Sequence, residues 1–332
     1  FSRAASRIRC RMQLGVEDVI VSSQNACAKV SLSNVWAEGP FALDKIVTEV
    51  LEGTRIYTDE ISRLADEHWE GIVKRQKPNL FDGPIWSLVQ FEVRSHGETD
   101  VDPGSGGKQL HLALQMSSYK LHYFTNFVGR GMVPQSSRCN GLGVMSLTET
   151  SDGYLVLGLR SRKAGTMPWH WHCVPAGVLD APDPNDVLKK ELNEEIGFEW
   201  STVRCAEVLA LISAGEEQGN KPEVLYRMLL SASAADVHEK HRAAEDRAEH
   251  EALIFVRALG HGAGSEPVKS VGTSEGSLDM EAMIAGAGVA PLCTDLEDFV
   301  SGARGPLTDL AKTALLLLRD RASRAVLPLP SS

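Results

Sequence analysis

The sequence predicts a mixed α/β fold, and three observations carry that expectation. Short apolar runs bounded by Gly, Pro, Asp and Ser recur along the chain and read as strands. Longer stretches carry apolar residues at three- and four-residue steps and read as helices. The two kinds of segment alternate through the second half, as they do where helices and a sheet share one core.

Length and composition set the frame. A chain of 332 residues corresponds to one large domain or two smaller ones at roughly 100–200 residues each. An apolar fraction of 43% is ample for a packed core. The 34 Lys and Arg against 44 Asp and Glu leave a net charge of −10. That excess argues against broad electrostatic binding to nucleic acid or to a membrane surface, while a small anionic ligand held by a few local cations remains open. No stretch approaches the roughly 20 apolar residues that cross a bilayer. The six Cys at 10, 27, 139, 173, 205 and 293 form no C-x-x-C pair. Such usage fits a reduced compartment and neither a disulfide scaffold nor a zinc site.

Taken in order, residues 1–35 read as an N-terminal extension without fixed structure. Arg3, Arg7, Arg9 and Arg11 precede the first acid, Glu17. This is either an organelle transit segment or sequence ahead of a start at Met12, so the expected localisation is cytoplasmic, or organellar if a transit segment is present. Residues 36–138 read as an α+β region. From Leu43 to Gln76 the pattern is helical, with Ile46, Val50, Leu51, Ile61 and Leu64 at helical steps. Asp82-Gly83-Pro84 ends it, and strands Trp86–Val93 and Leu110–Met116 follow as a hairpin around a Gly-rich turn.

The block 139–325 carries strands at Leu142–Leu147 and Tyr154–Leu159 and a short one at His172–Pro175. A helix from Asn185 to Ile196 is ended by Gly197. Strands Cys205–Ile212 and Val224–Ser231 precede a charged helix over His238–Arg247 and the apolar run Ala252–Val256. Residues 259–290, rich in Gly, Ser and Ala, read as a flexible insertion. An amphipathic helix, Asp309–Arg321, closes the chain.

Chemistry concentrates on the helix after Gly177. Glu191, Glu194 and Glu195 stand at i, i+3 and i+4, so their carboxylates share one face beside an apolar stripe of Leu188, Leu192 and Ile196. Like charges at this spacing cost about 0.2–0.5 kcal/mol per pair. A cation among them removes that cost, and Mg²⁺ or Mn²⁺ suits carboxylate oxygens. A solvated acidic helix face is the plain alternative. In Trp169-His170-Trp171-His172-Cys173 the two His share a strand face without a further ligand in view, which favours a strand edge over a metal site.

The segment resembles a Nudix box, G-x5-E-x7-R-E-U-x-E-E-x-G-U with U bulky and apolar. Lys190-Glu191-Leu192-Asn193-Glu194-Glu195-Ile196-Gly197-Phe198 matches its second half with Lys in place of Arg. Its first half departs: Asp183 stands where Glu is usual, and six residues rather than seven separate it from Lys190. The wider chain is similar to the UDP-glucose/UDP-galactose diphosphatase-like branch of that superfamily. Leu80-Phe81-Asp82-Gly83-Pro84, Ser118-Tyr119, Thr125-Asn126, Leu159-Arg160-Ser161-Arg162 and His250-Glu251 carry that likeness.

The resemblance implies a Nudix α/β/α sandwich with an N-terminal α+β extension, and metal-dependent hydrolysis of a nucleoside diphosphate sugar. It implies Glu194 and Glu195 as metal ligands, Glu191 as ligand or base, the Gly177 carbonyl as an added ligand, and Lys190 orienting Glu191. Glu251 is a candidate fourth acid or a solvated one, with His250 beside it. Arg160 and Arg162 either contact phosphate or end an exposed strand. Tyr119 or Phe127 either stacks on a uracil face or packs in the core, with Asn126 a partner for the base edge. UDP-glucose or UDP-galactose is the expected small-molecule partner. ADP-ribose or NADH is the alternative substrate, and a silent ligand-binding Nudix fold is the alternative of another class.

Overall fold

The computed structural model describes residues 7–8, 34–77, 80–95, 107–257, 292–295, 299 and 306–325. Most of the predicted extension and the whole predicted insertion 259–290 lie outside them. The first strands are β1 (Arg7–Ile8), β2 (Val35–Phe41), β3 (Ile46–Thr54), β4 (Pro84–Ser95) and β5 (Lys108–Ser118). Next come β6 (Gly143–Glu149), β7 (Tyr154–Arg160), β8 (Trp171–Cys173) and β9 (Ala176–Val178). The last are β10 (Val203–Ser213), β11 (Pro222–Leu230), β12 (His250–Arg257) and β13 (Leu292–Asp295). The helices are α1 (Asp59–His68), α2 (Tyr119–Tyr123), α3 (Pro184–Glu191), α4 (Ala234–His241) and α5 (Asp309–Ala325). The chain is thus mixed α/β, as its sequence predicts. It forms two compact units. One comprises Phe1–Gly143, Val178–Asn185 and Glu207–Val224; the other Val144–Gly177, Asp186–Ala206 and Leu225–Ser332.

The first unit contains a four-stranded sheet in the order β1-β4-β5-β3. β4 and β5 pair antiparallel from Pro84 opposite Ser118 to Ser95 opposite Lys108, the expected hairpin. Leu110, Leu112 and Leu114 alternate along β5 and are fully buried, so period-two patterning sets which face meets the core. The helical reading of residues 43–76 is corrected over its first part. Ile46–Thr54 is a strand parallel to β5, with Ile46 opposite Leu110 and Val50 opposite Leu114. Its β-branched Ile46, Val47, Thr48 and Val50 suit a pleated surface, and helical spacing there coincides with strand chemistry. The helix begins at Asp59, where Thr58 Oγ1 accepts the Ile61 amide at 3.3 Å.

His122 of α2 lies in this unit's interior. The Gly141 amide donates to its Nδ1 at 3.3 Å. Burial, aided by the Lys221 charge, pulls its pKa down to about 3. The unfolded chain binds the proton below its ordinary value of about 6.5 while the folded chain refuses it, so stability falls as pH drops from there toward 3. Urea unfolding between pH 6 and 4 is expected to lose up to about 1.4 kcal/mol per pH unit from this side chain. His122→Asn should reduce the total slope by that amount and leave the share of His250, whose pKa burial also lowers to about 3. An unchanged slope would remove the assignment.

In the second unit the sheet runs β13-β12-β7-β6-β11, with β8 on β7 and β9 on β6. β7 and β12 pair antiparallel from Arg257 opposite Tyr154 to His250 opposite Arg160, with an irregularity between His250 and Ala252. The helix predicted to end at Gly197 does so: α3 continues as a π-turn over Leu192–Ile196, and Gly197 terminates it at φ +83°. Leu188, Leu192 and Ile196 are fully buried and seat this helix on the core.

The charged helix expected over His238–Arg247 instead spans Ala234–His241. A capping box, in which Ser233 and Asp236 each accept the other's backbone N–H, starts it four residues earlier. His172 lies on β8 with Leu159 of β7 opposite Trp171, and its Nδ1 meets Thr308 Oγ1 at 2.8 Å. Among the described residues no helix is long and apolar enough to cross a membrane.

Candidate functional site

The acidic helix and the strand end after α4 meet within the second unit. Glu195 is 2% exposed. Its Oε2 accepts the Ala176 amide at 3.1 Å. Burial holds its carboxyl well above the usual carboxylate range, the charges of Glu191 and Glu249 push it the same way, and Arg160 opposes them. A buried acid beside two others is costly unless a positive charge compensates. Among the described residues the Ala176 amide and Arg160 favour its charged form, and burial with the neighbouring carboxylates outweighs them. The π-turn places it there: such turns insert a residue into an α-helix and recur at functional positions.

Gly177 faces the same cluster. A Cβ on Gly177 would overlap the Glu191 carboxylate, so only glycine leaves room for that side chain over the backbone. Lys190 Nζ stands 3.6 Å from Glu194 Oε2, an i, i+4 pair. Glu194 is raised by partial burial and by Asp246 and Glu245, with Lys190 lowering it. The backbone carbonyl of Glu194 accepts the Asp246 amide at 2.9 Å. The His241 ring nitrogen Nδ1 meets the Glu195 carbonyl at 2.8 Å. These two contacts tie the acidic turn to the segment that precedes β12.

Glu249 is the member of this group that sequence reading passed over. It closes a 3₁₀ turn, Arg247–Glu249, ahead of β12. Its side chain reaches solvent, yet the crowding of protein atoms raises its pKa, with Asp246 and Glu194 adding and Arg160 opposing. Glu251, the acid singled out from sequence, is turned elsewhere. Its Oε1 accepts from Ser161 Oγ at 3.3 Å and from the Arg162 amide at 3.2 Å. A register irregularity lies between His250 and Ala252, and the run Glu245, Asp246, Glu249, Glu251 offers no local signal for which acid lies near Glu195. His250 is buried against Gly158.

Arg160 is half-buried, and its Nε donates to the Thr166 carbonyl at 3.1 Å. Arg162 is exposed and stacks on Trp169, its guanidinium carbon 3.9 Å from the ring centroid. The loop that follows holds Met167 at φ +46° and Trp169 at φ +63°. Bulky residues in that region cost about 1–3 kcal/mol each and persist where surroundings over-determine them.

Tyr119, Asn126 and Phe127 belong to the first unit. Tyr119 packs among Trp69, His122 and Tyr123. Phe127 stands edge-on to His122 with ring centroids 5.6 Å apart. Asn126 is fully buried; its Nδ2 donates to the Gly219 carbonyl at 2.9 Å and its Oδ1 accepts the Asn140 amide.

Among the described residues no three His, Cys, Asp or Glu side chains converge on one point. The structure does not gather the predicted metal set Gly177, Glu191, Glu194, Glu195 and Glu251 around a single centre, and the Glu251 carboxylate serves the Ser161–Arg162 turn. The donor chemistry of Glu191, Glu195 and Glu249 still fits a hard divalent cation, since their oxygens repel one another and a cation relieves that repulsion.

No family model matches the chain, and no curated protein matches it. Among solved structures it is similar to DR0079 from Deinococcus radiodurans at 17% identity and a TM-score of 0.23, over 32% of this chain and 78% of that one. It is also similar to RenU, a Nudix hydrolase from M. smegmatis, at 14% identity and a TM-score of 0.26, over 57% of this chain and 88% of that one. Overlaps this small decide nothing about activity.

Proposed function

We propose that this chain is a metal-dependent Nudix hydrolase that splits the pyrophosphate of a nucleoside diphosphate sugar, UDP-glucose or UDP-galactose, into UMP and sugar 1-phosphate. The observation that carries the reading is Glu195, a buried carboxylate repelled by Glu191 and Glu249 with Arg160 as the opposing cation. Mg²⁺ or Mn²⁺, when bound, polarises phosphoryl oxygens and acidifies water. Glu191, Glu194 and Glu195 are the residues to hold it, with Glu249 at the edge of the same group.

The chain's own residues do the rest. Glu191, seated over Gly177, accepts a proton from the water that attacks one phosphorus. The new P–O bond forms as the bond to the bridging oxygen breaks, and the second phosphate departs on the sugar. Arg160 and Arg162 offset charge on the phosphate oxygens, a task suited to a planar fork of donors. Lys190 holds Glu194 and so limits the motion of the acidic turn.

The test is UMP release from purified chain in Mg²⁺ with UDP-glucose, UDP-galactose, ADP-ribose and NADH. Turnover of the UDP-hexoses is expected, with loss of at least about a hundredfold when chelator removes the cation. Preference for ADP-ribose or NADH would replace the substrate, and no turnover of any would sink the enzyme reading.

A further inference from the structure

We propose that His241 is a positioning residue for the acidic turn: its ring N–H holds the Glu195 backbone carbonyl and so sets where the Glu195 carboxylate meets a divalent cation. The inference rests on the cation-binding role proposed above for that turn.

The last carbonyls of a helix have no partner within it, and a buried helix end needs donors from elsewhere. The acidic helix ends among protein atoms, with both Glu195 and Ile196 buried. Its last turn finds donors on α4 and on the segment that follows α4. The Asp246 amide donates to the Glu194 carbonyl at 2.9 Å. His241 Nδ1 lies 2.8 Å from the Glu195 carbonyl oxygen. A carbonyl only accepts, so Nδ1 carries the hydrogen and donates it.

Glu195 is thereby held at both ends. The imidazole holds its carbonyl, and the Ala176 amide holds its carboxylate at 3.1 Å. Turning the peptide toward some other donor would carry the carboxylate off the Ala176 amide. The place of His241 suits this task better than it suits plain packing. It closes α4 and is buried one turn after Val237, which is fully buried and supplies apolar contact. The two helix ends lie directly against one another, since a Cβ at Gly197 would stand 3.2 Å from the Lys240 carbonyl oxygen. An apolar side chain at 241 would fill the same space and leave the Glu195 carbonyl without its donor. Groups that grip a metal ligand from behind in this way fix its orientation and govern metal affinity.

Mn²⁺ titrated into the full chain, with the free ion read from its electron paramagnetic resonance signal, tests this without relying on turnover. His241→Leu is expected to weaken Mn²⁺ binding about tenfold. His241→Asn, whose amide nitrogen reaches the place of Nδ1, should bind within about threefold of the parent chain. Val237→Ala loosens the same helix without touching the carbonyl. It should lower the melting temperature and leave Mn²⁺ affinity within about twofold. If His241→Leu fails to fold, His241→Gln serves: its amide reaches the place of Nε2 instead, and about tenfold weaker binding is expected. Unaltered affinity in the informative variant overturns the inference. So does an Asn variant that binds no better, a loss as large in Val237→Ala, or no Mn²⁺ binding by the parent chain. Any of these beside intact UDP-hexose turnover would sink the inference and leave the hydrolase reading standing. The expected pattern in a chain that hydrolyses none of the nucleotides would uphold it and sink the hydrolase reading alone.

Discussion

Replacing Glu195 by Gln is expected to lower kcat on UDP-glucose by at least about a hundredfold, or about 2.7 kcal/mol, without lowering the melting temperature. Gln keeps the volume and the oxygen that accepts the Ala176 amide. It removes a charge that burial disfavours and that Glu191 and Glu249 repel. Replacing an uncompensated buried charge by a neutral isostere is commonly neutral or stabilising. Scanning calorimetry in chelator measures the stability half, and Mg²⁺ should then raise the melting temperature of the parent chain more than that of the variant. A variant that melts markedly lower would give Glu195 a structural role. One that keeps its rate would remove it from the chemistry.

Gly177→Ala is expected to lower kcat about ten- to a hundredfold while costing no more than about 1 kcal/mol of stability. The added methyl would overlap the Glu191 carboxylate, which is the mobile end of a side chain and can swing away. Folding survives that displacement, and proton transfer does not, since a general base works only within hydrogen-bond reach. Gly197→Ala makes the contrast. Its φ of +83° is a left-handed conformation that alanine resists by about 1–2 kcal/mol, so stability falls there first. Parallel urea titrations and steady-state rates on the two variants separate positioning from folding. Equal rates for Gly177→Ala and the parent chain would show that Glu191 need not rest where it does.

Much of the candidate site is written in local periodicity. Leu188, Leu192 and Ile196 at helical steps seat one face, Glu191, Glu194 and Glu195 follow from the same spacing, and Gly197 ends the helix because few other residues accept its φ. The β4–β5 hairpin is legible for the same reason, as period two shows in any six residues. Ser233 and Asp236 carry an equally local signal, and attending to that capping box would have started α4 at the right residue.

Other features have no local signature. Ile46–Thr54 becomes a strand because β5 offers it a ladder sixty residues away, and helical spacing alone does not show that partner. Glu249 lies within electrostatic reach of Glu195 while Glu251 turns to Ser161, on either side of an interrupted stretch of the β7–β12 register. Trp169 reaches Arg162 only through a loop whose backbone sits in left-handed regions. Sequence alone determined the acidic helix and its terminator, since neighbours a turn apart settle both. Which distant acid and cation lie near that helix was left to tertiary structure, because pairing between strands and loops is settled by contacts that spacing along the chain does not encode.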